Sequence, residues 1–156
     1  MFAVGSGAAM LRIDAEAALR AAVSAGAFGA VAVAGSRSLN KHDDWAMVTD
    51  VLGACLGGRR MTAIVTGGAK GVDKIAADFA KDAKVPLEVH DADWRGLGPG
   101  AGMANNTKIV DACDVLVFFQ DGDSPGTADA IRKARAARKP VFGMRRLATG
   151  RWEVCV

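Results

Sequence analysis

Short, continuous apolar runs alternate with stretches of helical period along most of this chain. The runs cover residues 30–34, 63–66 and 115–119, and residues 86–90 and 140–143 read as two further strands. Between them, residues 43–56, 72–84, 101–113 and 127–138 carry apolar side chains at helical spacing, such as Val48, Val51, Leu52 and Cys55, or Ile75, Ala76 and Phe79. Strands that alternate with helices predict βαβ units and a parallel sheet. Unbroken apolar runs predict strands covered on both faces. Right-handed crossovers then lead to an α/β, Rossmann-like, doubly wound parallel sheet with strand order 3-2-1-4-5. Residues 151–156 are expected to add a last edge strand.

Residues 1–29 form an Ala-rich extension ahead of a domain expected over 30–156. Leu11, Ala15, Ala18, Leu19, Ala22 and Val23 recur at helical spacing, which predicts an extra N-terminal amphipathic helix. It would pack on the main body or on a partner subunit, with the first ten residues loose. A chain of 156 residues fits one domain. The three cysteines, Cys55, Cys113 and Cys155, are widely spaced, and His42 and His90 lie far apart. That pattern argues against a disulfide framework or a zinc site and favours a reducing, cytoplasmic setting. No metal or resident cofactor is expected. The uncharged run over residues 21–36 is 16 residues long and holds three glycines, too short and broken for a membrane span. No basic segment precedes it, so a signal peptide is not expected either.

Strand order 3-2-1-4-5 places a crevice outside the carboxyl ends of strands 1 and 4, where the order reverses. The unusual loops fall there. Gly35, Ser36 and Arg37 follow the first strand. Gly67, Gly68, Ala69, Lys70, Gly71 and Asp73 follow the second and open a helix. Asp123, Ser124, Pro125, Gly126 and Thr127 follow the fourth. Residues 98–106, with Gly102 and Asn106, precede the fourth. Glycine lets backbone N–H groups approach a phosphate, and a helix start adds unpaired donors and a positive dipole end. Ser124 and Thr127 can add hydroxyls, and Arg37 and Lys70 charge. Taken singly, each loop also reads as an ordinary turn, with Ser124 or Thr127 a helix cap and Asp73 a dipole partner. Their convergence on one sheet edge is what points to a binding crevice. Neither G-x-G-x-x-G nor G-x-x-x-x-G-K-[ST] occurs, so a standard dinucleotide fingerprint and a P-loop are excluded.

Gly-Ser-Arg after strand 1, Gly-Gly-Ala-Lys-Gly-Val-Asp after strand 2, Asp93-Trp94, Ala101-Gly102 with Asn106, and Gly126-Thr127 occur in this order. Together they resemble the SLOG superfamily, and within it the YspA-type branch. The superfamily includes Lonely-Guy phosphoribohydrolases, DprA/Smf DNA-processing proteins and molybdenum-cofactor carriers. The resemblance covers about residues 31–142. It implies a Rossmann-like sheet that binds a nucleotide or an NAD- or ADP-ribose-like ligand, as a sensor or a nucleotide-processing protein, in dimers or larger assemblies. Two positions depart from the pattern. Asn105 stands where the branch carries arginine, and Ala130 where the phosphoribohydrolases carry a catalytic glutamate. Asp129 is adjacent, but one residue turns a helix by about 100°.

Three functions follow as expectations. The first is a binding or sensing domain whose cradle comprises Gly35, Ser36, Arg37, Gly67, Gly68, Ala69, Lys70, Gly71, Asp73, Gly102, Asn106, Ser124, Gly126 and Thr127. The second is an N-glycosidic hydrolase or transferase acting on a nucleoside monophosphate, with Asp73 as the carboxylate and Arg37 holding phosphate. The third is DprA-like DNA handling, suggested by Arg132, Lys133, Arg135, Arg138, Lys139, Arg145 and Arg146. A solvated helix face is the commoner meaning of such a run, the net charge is only +3, and there is no tyrosine for base stacking. His42 reads as a surface or capping residue. Trp94 reads equally as a base platform or as packing.

Overall fold

A computed structural model of the chain describes residues 9–26, 28–57 and 61–156. It holds one seven-stranded sheet with strands β1 (Ala9–Met10), β2 (Ala30–Gly35), β3 (Ala63–Gly67), β4 (Leu87–His90), β5 (Val115–Asp121), β6 (Val141–Arg146) and β7 (Trp152–Cys155). Helices α1 (Arg12–Ala25), α2 (His42–Leu56), α3 (Val72–Asp82), α4 (Trp94–Leu97), α5 (Ala101–Asp111) and α6 (Pro125–Ala136) lie between them, with a 3-10 turn at Gly98–Gly100.

The sheet order is β1-β7-β6-β5-β2-β3-β4, seven strands and not five: the parallel part β4-β3-β2-β5-β6 runs in the expected order 3-2-1-4-5, and the whole sheet differs from that expectation by β7 and β1, added beyond β6. The pairs β4·β3, β3·β2, β2·β5 and β5·β6 are parallel. Beyond β6 the sheet turns antiparallel. Leu147 N–H donates to Arg151 O at 2.7 Å, which closes a hairpin and lays β7 on the open edge of β6. β1 then pairs antiparallel with β7. Residues 152–155 are therefore not an edge strand, because β1 covers their outer side. Ala9 and Met10 are held in that pairing; the rest of the segment expected to be loose, residues 1–8, lies outside the described residues.

The two sheet faces are separated by strand alternation. Val31, Val33, Ile64, Val115, Val117 and Phe119 pack with buried residues of α1, α2 and α3, among them Leu19, Val23, Leu52 and Ile75. Ala32, Val65 and Leu116 face Ile109 and Val110 of α5 and Ala130 and Ala134 of α6. Helices thus cover both faces, which is why the central runs are apolar without interruption. Helix α1 belongs to the larger cluster through Ala15, Ala18, Leu19 and Val23. Leu11, placed on the apolar stripe by spacing, stands at the α1 N-cap and is exposed, because the helix starts one residue later.

Local chemistry sets the helix ends. The Asp44 carboxylate accepts from Lys41 N–H at 2.9 Å at the start of α2. Pro125 occupies the first turn of α6, where a missing N–H costs nothing. Lys139 Nζ donates to Val110 O at 2.6 Å and Cys113 O at 2.7 Å, satisfying carbonyls at the α5 C-terminus. No helix of the described residues is long and apolar enough to cross a membrane.

Candidate functional site

A crevice of about 780 Å³ opens at the carboxyl edge of the sheet, where β2 and β5 run side by side and their chain continuations diverge. Gly35, Ser36, Arg37 and Ser38 form one wall. Gly67, Gly68, Ala69 and Asp73 form the second. Asp121, Asp123, Ser124, Gly126 and Thr127 form the third. Gly102, Met103, Asn105 and Asn106 of α5 close the fourth, with Trp94 at the rim. Lys70 and Gly71 do not line it: Lys70 is exposed outside the crevice, and Gly71 is packed beneath the first wall.

The first wall is stitched to β5. Ser36 N–H donates to Phe119 O at 3.0 Å, and Ser36 Oγ accepts from Asp121 N–H at 2.8 Å. Ser36 is buried by these bonds. A Cβ at Gly35 would press on Phe119 O and on the Val72 side chain, so glycine here lets α3 and β5 approach the strand. Arg37 is exposed on the crevice and, among the described residues, makes no ion pair.

Gly71 caps α3 with φ of 73°. A Cβ there would lie against Ser36 O and 2.7 Å from the Arg37 Cα. Glycine here lets the loop before α3 approach the Ser36–Arg37 backbone. Asp73, in the first turn of α3, reaches back so that its Oδ2 accepts from Ala69 N–H at 3.3 Å. Burial pushes its carboxyl up to about 6, against the opposing pull of the Thr66 hydroxyl, the Ala69 N–H and the Arg37 charge. Thr66 Oγ1 also donates to Val33 O at 3.1 Å, and a hydroxyl has a single proton, so it relieves Asp73 only in part.

At the third wall, Ser124 does not cap α6 with its side chain; its Oγ meets Thr127 Oγ1 at 2.8 Å instead. Among the described residues the N–H groups of Gly126 and Thr127 then find no acceptor, and they point from a helix start. Asn106 Nδ2 donates to Gly126 O at 2.9 Å and to Asp129 Oδ2 at 3.1 Å, fastening α5 to this turn. Burial raises the Asp129 carboxyl, but Lys133, Asn106 and Arg132 outweigh it and hold the group below its ordinary range. Asp129 lies outside the crevice lining, while Ala130 is in it. The Asp129 carboxylate is thus engaged by Lys133 and Asn106 outside the crevice lining.

Asn105, one residue before Asn106, turns toward the other side. Its Nδ2 donates to His90 O at the end of β4, and its buried Oδ1 has no partner among the described residues. Gly102 lies under the Trp94 ring, 3.4 Å from where its Cβ would be. Trp94 is half exposed there. His42 opens α2 on the surface and does not line the crevice. Sequence reasoning did not place Ser38, Asp91 or Asp121 in the site. The available signal was position: Asp91 directly follows β4 and Asp121 ends β5, both at carboxyl ends of parallel strands.

Much of the basic run is engaged within the fold. Arg132 and Lys133 hold Asp129, Lys139 caps α5, Arg145 meets Glu153 at 2.6 Å, and Arg146 meets Asp121. Cys55, Cys113 and Cys155 are free. Among the described residues no three His, Cys, Asp or Glu side chains are grouped to hold a metal ion.

No curated protein and no solved structure matches the chain. Residues 30–96, which carry the loops after β2 and β3 together with Asp93 and Trp94, match the family model described as YAcAr, the YspA, cpYpsA-related SLOG family, so over this segment the chain is similar to the YspA-type branch of the SLOG superfamily.

Proposed function

We propose that this domain binds a nucleotide or an ADP-ribose-like, phosphate-bearing ligand in the β2/β5 crevice, as a sensor or nucleotide-processing protein. The observation that carries this reading is the uncapped start of α6, whose two free N–H groups share the crevice with the unpaired Arg37 guanidinium. Backbone donors at a helix start and a guanidinium are the usual means of holding a phosphate. The volume, about 780 Å³, is in the range of small-molecule sites. The match of residues 30–96 to the SLOG family model is consistent with a nucleotide-related ligand. The phosphate is assigned to Gly126, Thr127 and Arg37, and the base to the Trp94 ring at the rim. Thermal unfolding with AMP, NAD and ADP-ribose tests the assignment. At 100 times Kd a ligand adds about 2.7 kcal/mol, a rise of roughly 5–10 °C for a chain of this size. No rise with any of them overturns it.

One observation favours a second, enzymatic reading. Asp73 is a crevice carboxyl whose pKa, about 6, suits proton transfer near neutral pH. Acting on the N-glycosidic bond of a nucleoside monophosphate, it would serve as general acid or base, with Arg37 on the phosphate. Release of free base, followed chromatographically, checks this; an unchanged rate in Asp73→Asn rules out the assignment. Assembly into homo-oligomers is supported by exposed Leu11 and Ile13 beside the short edge strand β1. The free cysteines support a cytoplasmic setting.

A further inference from the structure

The crevice has phosphate donors at one end, yet its walls are rich in negative charge. Among the described residues that line it, Arg37 is the single cation, against four carboxylates: Asp73, Asp91, Asp121 and Asp123. Arg146 holds Asp121 from a neighbouring hollow, and the Arg37 charge bears on Asp73. Asp91 and Asp123 are exposed, and neither forms an ion pair among the described residues. A ligand whose only charge is a phosphate brings more of the same sign between them. A ligand that suits both the phosphate donors and the carboxylates carries a positive charge as well.

The sheet places that charge. Asp91 and Trp94 follow β4, which lies three strands from β5 in the order β5-β2-β3-β4, roughly 14 Å at the usual strand spacing. That separates them from the α6 start as the base of a nucleotide is separated from its phosphate. A Cβ on Gly68 would fall on Asp91 Oδ1, so the glycine lets this carboxylate lie against the second wall of the crevice. Three residues later, Trp94 stands half exposed at the rim of the same crevice. An aromatic face attracts an organic cation, and a carboxylate adds Coulomb attraction. We propose that the ligand is a nucleotide with a positively charged ring, a pyridinium or an N-alkylated purine, and that Asp91 and Trp94 select for this charge. The proposal rests on the nucleotide reading above.

Calorimetric titration of the full chain in EDTA near neutral pH compares two pairs whose members differ in ring charge: nicotinamide mononucleotide with its reduced form, and 1-methyl-AMP with AMP. The cationic member of one pair should bind about fivefold or more tightly than its neutral partner. The pair that shows the preference separates a pyridinium from an alkylated purine. Asp91→Asn keeps the side-chain shape and removes the charge. It should weaken the cationic member about threefold or more, and leave the neutral member unchanged or tighter because a charge opposing the phosphate is gone. Trp94→Leu should also narrow the preference. A residue that only supports the fold would shift both members alike. Equal binding within both pairs, a preference unchanged in Asp91→Asn, a shift of both members alike, or binding that appears only when magnesium replaces EDTA overturns the charged-ring assignment while nucleotide binding stands. No binding of any of the four to the wild type, with or without magnesium, overturns both.

Discussion

Ser36 Oγ accepts the Asp121 backbone N–H at 2.8 Å, across 85 residues of chain. The bond extends the β2·β5 pairing past the last ladder residues, Gly35 and Phe119, and holds the two loops of the crevice at a set distance. Ser36→Ala leaves the Asp121 N–H without its acceptor. Denaturant unfolding should show a loss of about 1–3 kcal/mol, the cost of a buried donor left unpaired. A loss near zero would mean that water replaces the hydroxyl and that the loops are not held by it.

Gly71 should tolerate no side chain. Its φ of 73° disfavours L-residues, and a Cβ would press on the Ser36 and Arg37 backbone, which has no flexible end to yield. Gly71→Ala should cost at least about 2 kcal/mol. It should also weaken nucleotide binding by moving Arg37, although Gly71 itself does not line the crevice. Parallel unfolding and titration measurements check both effects.

Asp73 makes stability depend on pH. Its folded pKa, about 6, is above the ordinary value of 3.8. Between those values the folded state binds more protons than the unfolded one, so stability falls as pH rises through the window and the full penalty stands above about 6. Asp73→Asn should therefore stabilise the unliganded protein at pH 7, by at most about 3 kcal/mol, and change little below pH 4. The crevice is open to water, which places the effect under that ceiling. Ligand affinity should move the opposite way. A ligand hydroxyl donating to the ionised carboxylate is held less well as pH falls through about 6, so Kd should be larger at pH 5 than at pH 7.5.

Arg37→Ala should separate binding from folding. The side chain is exposed and unpaired among the described residues, so unfolding free energy should change by less than about 0.5 kcal/mol. Affinity for AMP should fall roughly 10- to 100-fold, the effect of a lost hydrogen bond to a charged group. Equal affinity in the variant would remove Arg37 from the phosphate site.

Lys84 and Arg138 lie just past the ends of α3 and α6 with φ of 56° and 58°. Both take the left-handed conformation in which helices commonly end on glycine. Lys84→Gly and Arg138→Gly should each raise stability by up to about 1 kcal/mol, read from denaturant midpoints. No gain would show that the lost side-chain contacts matter more than the backbone strain.

The central elements were legible because their signal is local. Ile64 and Val65, or Val115 through Phe119, form unbroken apolar runs that only a strand covered on both faces accommodates. The glycine turns after β2 and β3 were legible for the same reason. Other features had no local signature. β1 has two residues and α4 has four, too few for a period to show. Residues 152–155 read as an edge strand because nothing near them in sequence announces β1.

By itself, the sequence determined the alternation of strands and helices, the parallel core, and the collection of Gly35, Gly67 and Gly126 at one sheet edge. Periodicity and turn chemistry act over a few residues, so they can be read along the chain. Only the tertiary structure decided which turn glycines line the crevice and which, like Gly71, pack against another loop. It alone decided that Ser124 leaves α6 uncapped, that Asp129 is drawn to Lys133 and Asn106, and that the Asn105 amide is drawn to His90 O. Each of these depends on a partner tens of residues away or on the direction of one helix face, and those are settled only when the sheet brings distant segments together.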